Sequence, residues 1–227
     1  MEESSGLIYL VRHCATRNDA ANYPVLLGQK LGMGLSEVGE EHAQQLARYF
    51  ADKQLSAAYC SPLSRAVRTA QVIIGERDTP LTFCQSFLEA DMGSWEGRTY
   101  DEIRQDSNDR FDRFLRDPGT YRYPEGENLS EVCRRATLML SKISRLYPKG
   151  RVLVVAHKQT IRAVLIGLQS LPLHRARELE QDPGCINLIR VFRGTMALQA
   201  VNWTSSLEML EEEEEEQCDS ASNTTVR

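Results

Sequence analysis

Leu7-Ile8-Tyr9-Leu10-Val11-Arg12-His13-Cys14-Ala15-Thr16 is the stretch on which the reading of this chain turns. Its apolar run is rich in Ile, Val and Tyr and too short for a helix, which fits a buried β-strand. It ends abruptly in Arg12-His13, with small and polar residues behind. In open α/β sheets, ligands lie outside the carboxyl ends of the strands, where this pair would project. A guanidinium offers phosphate a fixed fork, and an imidazole can act as a nucleophile. The dipeptide alone fits a solvated strand end equally well, so the rest of the sequence has to decide.

The strand-to-helix pattern returns along the chain. Arg17 to Gly34 is loop-like, and Ser36 is placed to cap a helix with Val38, Ala43, Leu46, Ala47 and Phe50 on one face. Ala57 to Ser61 reads as a second strand, and Pro62 leads into a helix over Ser64 to Ile74 that carries Arg65 near its start. Leu81 to Cys84 is a short strand, followed by a turn-rich acidic stretch from Leu88 to Gly97. Tyr100 to Asp117 reads as helical and is ended by Pro118-Gly119. Asn128 or Ser130 caps a long helix with Val132, Ala136, Met139, Leu140, Ile143 and Leu146 at core spacing. Arg151 to Ala156 is apolar after its first residue, as in a strand covered on both faces. It runs into His157, and Thr160 to Leu168 forms the next helix. Strands over Asn187 to Phe192 and Ala197 to Asn202 meet through Arg193-Gly194-Thr195, a hairpin signal. Together these predict an α/β fold: a mostly parallel central sheet with helices on both faces.

The 227 residues can bury one sizeable core, so a single folded domain over residues 1–203 is expected. Eight of the 32 acidic residues lie beyond Trp203, against one of the 27 basic ones, so the preceding chain carries a net charge of +2 rather than −5. That balance, with no long Lys/Arg run, gives no support to nucleic-acid binding. Residues 204–227, with six consecutive glutamates, are read as a disordered acidic tail. Six cysteines without a close pair form neither a zinc pattern nor a compact disulfide framework. With no signal-peptide pattern and no long apolar run, the expected setting is cytoplasmic, away from membranes. Oligomeric state is left open, a homo-oligomer included.

In a parallel sheet the carboxyl ends lie together, so Arg12-His13, Arg65, His157 and Glu89 would face one pocket. Two arginines, two histidines and a carboxylate suffice for phosphoryl transfer through a phosphohistidine, with no metal or other cofactor. Arg12-His13-Cys14-Ala15-Thr16-Arg17-Asn18 resembles the R-H-G-x-T-x-x-N signature of the histidine phosphatase (phosphoglycerate mutase-like) superfamily, with Asn18 one residue early. Leu35-Ser36-Glu37-Val38-Gly39, Ser61 to Ala70, Leu88-Glu89 with Gly93 to Gly97, Pro124 to Glu127 and Val155-Ala156-His157 resemble further motifs of that family, in the same order.

The resemblance implies that His13 is the phosphorylated nucleophile. Arg12, Arg65 and His157 would form the phosphate pocket, Glu89 would be the proton donor, and Asn18 a substrate contact. Two departures stand out. Cys14 replaces a glycine where the backbone approaches the substrate, and Lys158-Gln159 replaces a small Gly-rich pair, giving Lys158 the chance of a phosphate contact. The uninterrupted run from Gly97 into a compact helical section points to the phosphatase branch, acting on a small phosphorylated metabolite. A phosphoglycerate mutase is the alternative among enzymes, and a catalytically weak phospho-ligand binding relative the alternative outside them.

Overall fold

The computed structural model describes residues 5–106 and 109–204. Six strands are β1 (Gly6–Arg12), β2 (Ala57–Cys60), β3 (Leu81–Phe83), β4 (Arg151–Ala156), β5 (Ile186–Phe192) and β6 (Thr195–Trp203). The α-helices among the described residues are α1 (Glu37–Tyr49), α2 (Ser64–Ile74), α3 (Tyr100–Asp106), α4 (Arg110–Arg116), α5 (Leu129–Leu146) and α6 (Lys158–Leu168), with short 3-10 turns at Gln85–Phe87, Gly93–Trp95 and Leu173–Glu178. The sheet order is β3-β2-β4-β1-β5-β6. The first four strands are parallel, whereas β5 runs antiparallel to β1 and pairs with β6 as a hairpin. That hairpin turns on Arg193 and Gly194, both at positive φ, as a two-residue turn of the primed type requires.

Alternation along the strands feeds two cores. Tyr9, Val11, Leu153 and Val155 face α1 and α2, while Ile8, Leu10, Val152 and Val154 face α5 and α6. The mostly parallel sheet with helices on both faces is therefore as the periodicity predicts. A third cluster lies off the sheet, where Ile103, Phe111 and Phe114 pack on Trp95, Tyr123 and Leu129.

Several boundaries differ from the sequence reading. The segment from Tyr100 to Asp117 forms two short helices, α3 and α4. α6 begins at Lys158 rather than Thr160, because His157 is itself the residue preceding the first turn. The stretch from Leu88 to Gly97 contains a 3-10 turn that buries Trp95. Val38 and Leu146, expected on core faces, are 54% and 66% exposed. Each lies in a terminal turn of its helix, where the sheet no longer covers it. Of the two proposed caps for α5, Asn128 is the one used: its side chain accepts from Glu131 N–H while Glu131 accepts from Asn128 N–H. Beyond Thr204 the proposed acidic tail lies outside the described residues. Among the described residues, no helix is long and apolar enough to cross a membrane.

Candidate active site

Strand register brings the two histidines together. Arg12 stands opposite Ala156 in the β1–β4 pair, so His13 and His157 leave neighbouring parallel strands at one level. Their ring centroids are 5.1 Å apart. His13 is buried, and its Nδ1 lies 2.8 Å from the Cys14 carbonyl. A carbonyl only accepts, so the proton sits on Nδ1 and Nε2 carries the lone pair. Burial, then the charges of Arg12 and Arg65, lower the His13 pKa to about 3, leaving a neutral imidazole at physiological pH.

His157 is fully buried and is the mirror case. Its Nδ1 accepts from Arg65 Nε at 3.2 Å, which puts the proton on Nε2. That Nε2 has no hydrogen-bond partner among the described residues. Burial, Arg65 and His13 push its pKa well below the usual range, so it is a neutral donor. Arg12 shows a second orphan. Its Nη1 donates to the Gln181 carbonyl at 2.8 Å and its Nη2 to Asp19, while Nε is buried without a partner among the described residues. Buried N–H groups are rarely left unpaired, and each such case calls for an explanation. Here two of them belong to the neighbours of His13: Arg12 precedes it in the chain, and the His157 ring is centred 5.1 Å from its own.

Arg65 reaches the site but is otherwise engaged. Besides His157, its guanidinium donates to the carbonyls of Leu27, Gly28 and Leu31. It fixes the His157 ring and fastens the loop above it. Glu96 holds the same loop from the other side, accepting from the N–H groups of Gln29, Lys30 and Leu31.

Glu89 is buried at the start of α6. Its Oε1 accepts from Ala90 N–H at 2.9 Å and Thr160 N–H at 3.1 Å, and its Oε2 accepts from Gln159 N–H at 3.2 Å. Oε2 therefore keeps acceptor capacity, beside the first turn of α6, which His157 precedes. Lys158 lies half-buried at the rim. Asn18 is turned away from the site: its amide pairs with both backbone groups of Val25, each at 3.0 Å, and closes its own loop.

Residues that the sequence reading missed hold these groups in place. Asp19 occupies the last position of the R-H-G-x-T-x-x-N spacing. Its carboxylate takes Arg12 Nη2 together with the N–H and hydroxyl of Thr16. Counting from Thr16 rather than looking for an asparagine would have found it. Arg135 on α5 donates to the carbonyls of Ser86, Leu88 and Glu89 and to both oxygens of Glu127, and so clamps the segment that carries Glu89. Gln181, in a connection with no readable pattern, anchors Arg12 and pairs with buried Asn187.

Two motif glycines have a visible cause. A Cβ on Gly39 would come within 1.9 Å of the Ala15 carbonyl, and one on Gly93 within 1.7 Å of the Pro124 carbonyl. The first contact seats α1 against the loop after His13. The second docks the Glu89 segment on the Pro124–Glu127 loop. Cys14 does not intrude on the substrate side, because its side chain is buried in the core against α1. Burial pushes that thiol up to about 12, so it stays protonated.

Beside Glu89, between α4 and α6, lies a cavity of about 90 Å³ lined by Trp95, Tyr100, Phe111, Phe114, Tyr123 and Arg162, among others.

Comparison with known proteins gives the family. The family model for the histidine phosphatase superfamily (branch 1) matches residues 8–204. Phosphoserine phosphatase 1 of Hydrogenobacter thermophilus is 26% identical over 201 residues, covering 88% of this chain and 93% of the relative. Probable phosphoglycerate mutase GpmB of Erwinia tasmaniensis is 27% identical over 172 residues, covering 76% and 79%. Among solved structures, Bacillus stearothermophilus YhfR matches with a TM-score of 0.80 at 28% identity, over 89% of this chain and 98% of its own. With that family model spanning most of its length, the chain belongs to the histidine phosphatase superfamily, branch 1.

Proposed function

We propose that this histidine-type phosphoric monoester hydrolase works through a phosphohistidine on His13 and releases the alcohol of a small phosphorylated metabolite. The observation that carries this reading is the pair of orphaned buried donors, Arg12 Nε and His157 Nε2, beside the unprotonated Nε2 of His13. Three equatorial phosphoryl oxygens need donors while charge spreads over them in the transition state. In the first step His13 Nε2 bonds to phosphorus, the ester P–O bond breaks, and Glu89 Oε2 gives its proton to the leaving oxygen. In the second, Glu89 takes a proton from water, which attacks phosphorus, and the P–N bond breaks to release phosphate and neutral His13. Arg65 acts through His157, whose tautomer it sets, and adds positive charge. Lys158 is left for the substrate side of the rim. Asn18 serves its loop and does not bind substrate in this scheme.

The positive charge comes from side chains, so turnover should persist in excess chelator. The test is steady-state hydrolysis of p-nitrophenyl phosphate beside a bisphosphate-primed assay of 3-phosphoglycerate isomerisation. Hydrolysis exceeding isomerisation is the expected result. Isomerisation in excess would make the protein a mutase, and neither activity would make it a binding relative.

A further inference from the structure

Arg12 owes its place to more than its two direct partners. Gln181, whose carbonyl takes Arg12 Nη1, lies outside any helix or strand, in the connection between α6 and β5. Its side chain is nevertheless buried and engaged at both ends. It forms a reciprocal amide pair with Asn187 on β5: Gln181 Nε2 donates to Asn187 Oδ1 at 2.9 Å, and Asn187 Nδ2 donates to Gln181 Oε1 at 2.8 Å. Asn187 is fully buried, and its remaining capacity goes to the main chain on either side. Nδ2 also donates to the Leu10 carbonyl on β1 at 3.1 Å, and Oδ1 accepts from the Asn202 N–H on β6 at 3.0 Å. A flipped amide would set donor against donor and acceptor against acceptor, so the neighbouring strands fix its orientation. The orientation of Gln181 follows from it.

The sheet is deformed where this contact forms. Ile186 pairs with Trp203 and Leu188 with Ala200, so Asn187 alone opposes Val201 and Asn202. Bulges of this kind are over-represented next to active sites, where they re-aim a side chain. The Asn202 backbone is left-handed, with φ at 53°, and its side chain extends the contacts to Asp182. Its Oδ1 accepts from Asp182 N–H at 2.7 Å, and its Nδ2 donates to Asp182 Oδ2 at 2.9 Å. Residues 181 and 182 are thus tied to β5 and β6 by side-chain amides. Buried amides stabilise a fold less than apolar side chains do, because their bonds to water must first be given up. What they supply here is a fixed carbonyl. With Asp19 it takes both terminal nitrogens of Arg12 and leaves Nε as the guanidinium nitrogen without a partner among the described residues.

We propose that Gln181 and Asn187 are positioning residues for phosphoryl transfer: their amide pair sets the Gln181 carbonyl, which holds the Arg12 guanidinium with Nε free for a phosphoryl oxygen. The inference rests on the phosphatase reading of the site. Gln181→Met keeps the carbonyl and the length of the side chain and removes the amide pair. It should lower kcat/KM for p-nitrophenyl phosphate at least about fivefold, and that for an alkyl phosphate by the same factor, since a small misplacement of a binding group is enough. Asn187→Leu should do the same from the other side of the pair, and it carries the test if Gln181→Met does not fold. The discriminating measurement is a double-mutant cycle with Arg12→Lys, which has no guanidinium to hold. In that background Gln181→Met should change kcat/KM by less than about twofold. An equal loss in both backgrounds would make the pair part of the scaffold only, and folded variants with undiminished kcat/KM would overturn the proposal outright. Calorimetric titration of the same four proteins with inorganic phosphate runs the cycle without turnover. There, a loss of affinity confined to the background that has Arg12 supports the proposal, and equal losses refute it. Absence of p-nitrophenyl phosphate hydrolysis by the wild type would refute the phosphatase reading instead.

Discussion

The proposed mechanism gives the site two sides, and on its phosphorus side Arg12, His13 and His157 leave the ends of β1 and β4, buried in a sheet covered on both faces. On the leaving-group side, Glu89 sits in a loop, and Tyr100, Phe111 and Phe114 come from two seven-residue helices. Strand register fixes the first set to within a residue. Turns, capping contacts and the Arg135 clamp position the second. One side can thus serve every phosphate ester, while the other can change its shape and charge without disturbing the sheet. The contrast predicts that substitutions on the phosphorus side weaken all substrates alike, and those on the leaving-group side discriminate between them.

The largest discriminating effect is expected at Glu89. A general acid contributes about 10²–10⁴-fold, and a phenolate leaves without one. Glu89→Gln should therefore lose at least about tenfold more turnover on an alkyl phosphate than on p-nitrophenyl phosphate. Equal losses would remove Glu89 from the acid role and bring Asp91 or Glu96 forward. On the other side, His157→Ala takes away one orphaned donor that the proposed mechanism assigns to the phosphoryl oxygens. A loss of about 10²–10³-fold is expected, and parallel rates on the two substrates would check that it is uniform. A loss confined to the alkyl ester would erase the distinction between the two sides.

Arg135 offers a smaller, structural effect on the leaving-group side. Arg135→Ala removes one donor each from three carbonyls and its fork from the Glu127 carboxylate, leaving Leu88 the Thr160 hydroxyl, Glu89 the Gln29 amide and Glu127 the Asp91 N–H, at a cost of about 2 kcal/mol in unfolding free energy. Its kinetic signature should resemble that of Glu89→Gln in sign, falling harder on the alkyl ester, because the clamp holds the Glu89 backbone. A uniform loss would place Arg135 with the scaffold alone.

The phosphorus side has a pH signature of its own. His13 and His157 are neutral when folded but ordinary when unfolded, so below pH 6.5 the unfolded chain binds more protons. Stability present at pH 7 is therefore lost as the pH falls. His13 contributes a loss of about 2 kcal/mol at pH 5, given 1.36 kcal/mol per unit over 1.5 units, and His157 adds to it in the same direction. Denaturant unfolding at both pH values, repeated with His157→Gln, should show the slope shrink. An unchanged slope would mean that His157 is charged in the folded protein.

The same division governs what was legible in the sequence. His13, His157 and Arg65 sit at fixed offsets from strand ends, and apolar alternation with an abrupt polar stop marks those offsets locally. Their partners are long-range. Nothing near Arg65 indicates that its guanidinium takes the carbonyls of Leu27, Gly28 and Leu31, or that Asn18 would bind Val25 and leave Asp19 to Arg12. Arg135 looks like any exposed base on an amphipathic helix until the Glu89 segment packs on it. Val38 and Leu146 match the helical period, yet period says nothing about where the covering sheet stops. The helices α3 and α4 share one charged pattern, and their separate packing on Trp95 is a tertiary matter.

The central claim is that a phosphoryl group passes through His13 Nε2. Millisecond quenching of the full-length protein with ³²P-labelled p-nitrophenyl phosphate, followed by peptide mapping, tests it directly. The account predicts acid-labile, base-stable label on the peptide containing His13, formed and lost at rates that match turnover, and absent in His13→Ala. Label that survives in His13→Ala, or turnover with no trapped phosphoenzyme under conditions where breakdown limits the rate, would contradict it.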